Sequence, residues 1–128
     1  MIEQSQPVAE DISTMPKRSF ERPIDLIHLS RITLGDPGLE REVLQLFDRQ
    51  TDMLMTRMRQ STPGAIAAVA HTLKGSARGI GAWRVAHAAE EVEIATNSDE
   101  QKLRSAVGRL SVAAAEVRSV IDELLRAN

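Results

Sequence analysis

Beyond Pro23 the apolar residues recur every three or four positions and nowhere alternate long enough to mark a strand, so the pattern predicts helices throughout. The first is predicted over 24–32, with Pro23 near its start and Ile24, Ile27 and Leu34 among its apolar positions. The stretch LGDPG then breaks the chain. Asp36 is placed to cap a second helix and Pro37 to open it, because the first helical position has no use for an N–H. This helix is predicted to run to about Gln60, roughly 36 Å, with an apolar stripe of Leu39, Val43, Phe47, Leu54 and Met58. STPG repeats the start signal through Thr62 and Pro63, and the third helix is predicted to reach about Arg78, where Gly79 and Gly81 interrupt it. A fourth follows over 83–96, turning Val85, Ala88, Ala89 and Val92 inward. Ser98 and Gln101 fit a capping box for the fifth, whose seam of Leu103, Val107, Leu110, Ala114, Val117, Ile121 and Leu124 is the most regular in the chain. Short connections between these helices favour an all-α, up-and-down antiparallel four-helix bundle with an additional short N-terminal helix. Residues 1–21, polar and broken by Pro7 and Pro16, read as a disordered tail, leaving 22–128 as the helical domain.

At 128 residues one core is expected, and with Phe20, Phe47 and Trp83 as its aromatic residues that core must be aliphatic. A net charge of -2 supplies no global positive field for nucleic acid or an anionic membrane. No segment approaches the ~20 apolar residues that cross a bilayer, and the opening residues lack a basic stretch followed by an apolar run. The absence of Cys removes disulfides and thiol chemistry. The expectation is a soluble, cytoplasmic monomer with no nucleic-acid or membrane partner.

Candidate chemistry concentrates in AHTLKGSARGIGA, residues 70–82. The third helix buries Ile66, Val69, Ala70, Leu73, Ala77 and Ile80, while His71 lies about 100° from Ala70 and about 200° from Leu73, at the edge of that stripe or outside it. Ala67 and Gly75, one turn away, are small and leave the ring clear of its helix. A glycine inside a helix costs up to ~1 kcal/mol relative to alanine, which points to something that needs the space beside His71. Lys74, three residues on, sits on the same side as a compact cation suited to a phosphoryl group; Arg78 and Arg84 are weaker candidates of that kind. Spacing leaves two readings open: an exposed reactive histidine, or a solvated one on a helix fraying toward Gly79.

The run His-x-Leu-Lys-Gly-Ser-Ala, followed by an apolar residue and glycine, resembles the histidine-containing phosphotransfer (HPt) domain family of bacterial and fungal phosphorelays. A compatible helical pattern extends over residues 24–125. The resemblance implies a four-helix bundle in which His71 is the phosphoacceptor, Lys74 the cation beside the phosphoryl group, and Gly75 the residue that leaves room for it. Gly79, Ile80 and Gly81 would form the turn into the fourth helix. Glu93, with Glu90 as substitute, would accept a hydrogen bond from the inner ring nitrogen, keeping the proton on Nδ1 and leaving Nε2 as nucleophile. The implied role is a phosphorelay intermediate that takes the group from a receiver-domain aspartate, or from a histidine kinase relay, and passes it to another receiver aspartate. Its partners would be response-regulator receiver domains and a hybrid or histidine kinase. KGS is not preceded by the Gly-x-x-x-x-Gly of a phosphate-binding loop, so no kinase activity of its own is expected. No cofactor is expected either, since the receiver would bring both the aspartate and Mg²⁺.

Two other classes compete. A helical interaction module that docks on a kinase or response regulator without phosphoryl chemistry would explain the helices but leave the His-Lys-Gly arrangement to chance. A di-iron bundle needs Glu-x-x-His on two helices with further carboxylates, whereas His87 and Glu90 form one such pair in reverse order. His28 and His87 are expected at the surface.

Overall fold

The structure, a computed structural model, describes residues 22–127, and the tail expected over 1–21 lies outside them. Five helices follow one another among the described residues: α1 Leu26–Ile32, α2 Pro37–Arg59, α3 Pro63–Ile80, α4 Trp83–Ala95 and α5 Glu100–Ala127. α2 to α5 form the bundle: α2 packs against α3 and α5, α4 packs against those same two, and α1 lies on α3. The all-α bundle with its short N-terminal helix is as the apolar pattern predicts.

Capping decides where the helices begin. Asp36 Oδ1 accepts from the N–H of Gly38 at 2.9 Å and of Leu39 at 3.3 Å, with Pro37 in the first turn, as expected. Thr62 occupies the cap position of α3 without a side-chain bond. α1 starts later than predicted, because Asp25 caps it by accepting from His28 N at 3.1 Å; Pro23 and Ile24 precede the helix. Ile24 is nevertheless buried, beside Leu29, whereas Ile27 and Leu34 are 69% and 90% exposed. Asp99 caps α5 through Lys102 N at 2.8 Å, in place of the predicted Ser98, whose N–H instead closes the end of α4 on Ala95 O. α3 also continues through Gly79 and Ile80, so Gly81 alone, at φ 86°, ends it.

The core is aliphatic, with Leu73, Val85, Val92, Leu110, Val117 and Ile121 almost wholly buried. On α2 the inward stripe is Leu44, Phe47, Thr51, Leu54, Met55 and Met58; Leu39 is 40% exposed and Val43 is half-buried. The predicted stripe ran wide of the core at Leu39, which lies on the outside with Leu46 and Met53, seven residues apart. Ala106 joins the α5 seam, while Val107 and Leu124 are partly buried. Ala70, Ala77, Ala82 and Ala89 are fully buried between α3 and α4, and helix separation depends on the side chains at the contact. Small side chains therefore bring these two backbones close. On the opposite side Arg118 lashes α5 to α2, with Nε 2.8 Å from Asp48 Oδ1 and Nη1 3.0 Å from Asp52 Oδ1. The bond to Asp48, with Asp52 beside it, raises the Arg118 guanidinium pKa further above its ordinary value.

The α3–α4 turn carries α1. Asp25 N donates to Gly81 O at 2.9 Å, Trp83 Nε1 donates to Asp25 Oδ2 at 2.9 Å, and His28 Nε2 donates to Gly79 O at 3.0 Å. The His28 ring meets Trp83 edge-on at 5.1 Å. A Cβ at Gly81 would come within 3.0 Å of His28 Cδ2 and 3.2 Å of Asp25 Cβ. His28, expected at the surface, is half-buried there and forms part of a joint.

Candidate functional site

His71 stands on α3 with its side chain 70% exposed, and Nδ1 lies 2.9 Å from Glu93 Oε2 on α4. An ionised carboxylate can only accept, so the ring must donate from Nδ1–H, which leaves the lone pair on Nε2. No hydrogen bond engages Nε2 among the described residues. This geometry follows from the packing below it, because the alanine seam draws α4 close enough for a glutamate to reach across.

The acids of EEVE separate by their angular steps around α4. Glu93 meets His71 and Lys74, Glu90 meets Arg78 at 3.4 Å, and Glu91 lies 3.4 Å from His87 and 3.5 Å from Arg109. The structure therefore brings Glu93, and not Glu90, to the imidazole. Lys74 Nζ is 2.6 Å from Glu93 Oε1, and the two side chains are only 15% and 23% exposed. Burial alone would raise the Glu93 pKa; the hydrogen bonds and charges of Lys74 and His71 outweigh it and hold the carboxyl below its ordinary range. Lys74 is thus seated on Glu93, a tighter partnership than the freely reaching cation expected from spacing.

A Cβ added at Gly75 would meet nothing within 4 Å, so packing inside the chain does not call for glycine there. Arg84 is turned toward α5, where Nη1 lies 2.9 Å from Glu116 Oε1. His87 stays at the surface, 42% exposed. Among the described residues no three His, Asp or Glu side chains come together as a metal-binding group, and none of the helices is long and apolar enough to cross a membrane.

The sequence reading missed a shallow depression of about 220 Å³ between α1, α2 and α3, where Ile32, Val43, Leu46 and Phe47 meet Ser76 and Gly79. Its signal was Leu46 on α2, an apolar residue outside the predicted stripe, next to Val43, which that stripe assigns wholly to the core.

The Hpt domain family model matches residues 42–127, from early α2 through α5, leaving α1 outside the match. No curated protein and no solved structure matches the chain significantly. The matched span covers the bundle and every residue of the His71 site, and is well over half of the chain; the protein belongs to the Hpt domain family, whose members carry out histidine phosphotransfer in two-component signalling.

Proposed function

We propose that this chain is a phosphorelay intermediate in which His71 accepts a phosphoryl group from a receiver-domain aspartate, or from a histidine kinase relay, and passes it to a second receiver aspartate. The observation that carries this reading is the division of labour on one ring: Nδ1 is held by Glu93 at 2.9 Å on a side chain that is 70% exposed. The Nε2 lone pair attacks phosphorus in line; the N–P bond forms as the P–O bond breaks and its electron pair returns to the aspartate oxygen. The ring becomes cationic, with Nδ1–H still donated to Glu93, whose negative charge stabilises it. Lys74 keeps that carboxylate aligned and adds positive potential beside the group, and the open space at Gly75 leaves room for it. The receiver would supply the aspartate and its Mg²⁺, and dock over the His71 face with the depression between α1, α2 and α3 as the apolar contact.

The test is His71→Gln. The variant should keep its helical fold and receiver binding but lose acid-labile, alkali-stable labelling from a phosphorylated receiver. Full labelling of the variant would exclude His71. A parent chain that binds receivers and is never labelled would favour the interaction-module reading.

A further inference from the structure

The cations on the His71 face are not equally held. Lys74 is 2.6 Å from Glu93 and 15% exposed, so drawing it outward would disturb the carboxylate that orients the ring. Arg78 is 54% exposed, and its Nη2 lies 3.4 Å from Glu90 Oε1, the long end of a hydrogen bond; exposed pairs of this kind hold weakly.

Seven residues place Arg78 within about 20° of His71 around the helix and about 10.5 Å further along it. Helical side chains lean toward the N-terminus, so the long Arg78 side chain runs back over the turn that separates it from His71, whose shorter ring leans the same way. The turn between them offers Gly75, which has no side chain, and Lys74, which is turned to Glu93 on α4. The space at Gly75, between Arg78 and His71, is therefore open.

We propose that Arg78 is the cation that contacts the phosphoryl group, leaving Glu90 for the oxygens carried on Nε2 of His71 while Lys74 stays on Glu93. The inference rests on His71 being the acceptor. A phosphoryl group carries close to two negative charges, and a planar guanidinium can grip two of its oxygens at once. A single carboxylate oxygen at 3.4 Å is the poorer partner. On dephosphorylation Arg78 returns to Glu90, so Glu90 competes with the phosphoryl group.

The test is a ³¹P NMR titration of the full chain phosphorylated with phosphoramidate, the His71 signal being assigned by its loss in His71→Gln. A nearby cation favours the dianion, so Arg78→Ala should raise the phosphoryl titration midpoint by about half a unit. Glu90→Gln should lower it, an opposite shift that mere loosening of the helix would not produce. A midpoint unmoved by both substitutions, with His71 still phosphorylated, would overturn the role of Arg78 alone. No phosphoryl signal on His71 of the parent chain would remove the acceptor reading and this inference with it.

Discussion

His71 and His28 occupy two regions of one helical surface and are bonded in opposite senses. At the joint of α1, His28 spends its outer nitrogen, donating from Nε2 to Gly79 O at 3.0 Å with its ring edge-on to Trp83. On the α3–α4 face, His71 spends its inner nitrogen on Glu93 and keeps the outer one open. The acceptor in each case is a carbonyl or a carboxylate, which requires opposite tautomers: Nε2–H for His28 and Nδ1–H for His71. Exposure alone does not separate a reactive histidine from a structural one. What separates them is which nitrogen the fold has already used.

The glycines divide the same way. Gly81 sits in the left-handed region and faces His28 at close range, while Gly75 faces nothing in its own chain. Gly81→Ala should cost about 2–3 kcal/mol in chemical denaturation, through its φ and the approach to His28. Gly75→Ala should leave stability unchanged or raise it by up to ~1 kcal/mol, yet slow transfer from a receiver. Equal destabilisation by both would erase the distinction.

Glu93→Ala should slow phosphotransfer about 10–100-fold by releasing the ring, while Glu93→Gln, whose amide oxygen can still accept, should lose less. His28→Ala should cost about 1–2 kcal/mol of stability, the lost bond plus the contact with Trp83, and leave the labelling of His71 intact. Loss of labelling in that variant would show that the two regions are coupled.

The smallest expected effect is on pH. Because folding lowers the Glu93 pKa, its contribution to stability is complete above the ordinary carboxylate pKa of about 4.3 and is lost as pH falls through the folded value. Denaturation curves at pH 7 and below pH 4 should therefore differ less in Glu93→Gln than in the parent. An identical pH slope would mean that the carboxylate is not held by Lys74 and His71.

Much of this was legible in the sequence because it rests on periodicity. The core of α3, the α5 seam and the exposed side of His71 all follow from counting residues around a helix. The cross-helix partners were less so: Glu93 came from resemblance and Glu90 stayed an alternative, since helix separation is set by the alanines of α3 and α4 together. The Lys74–Glu93 pair, the joint of Asp25, His28 and Trp83, and the cap at Asp99 depend on which of several nearby polar groups wins a bond. Spacing along one helix does not carry that competition.

The most direct test is to phosphorylate the chain from a receiver domain and locate the phosphoryl group by NMR. It is expected on Nε2 of His71, with Nδ1 still protonated. A phosphoryl group on Nδ1 of His71, or on His28 or His87, would contradict the central claim that Glu93 leaves one nitrogen of one histidine open to reaction.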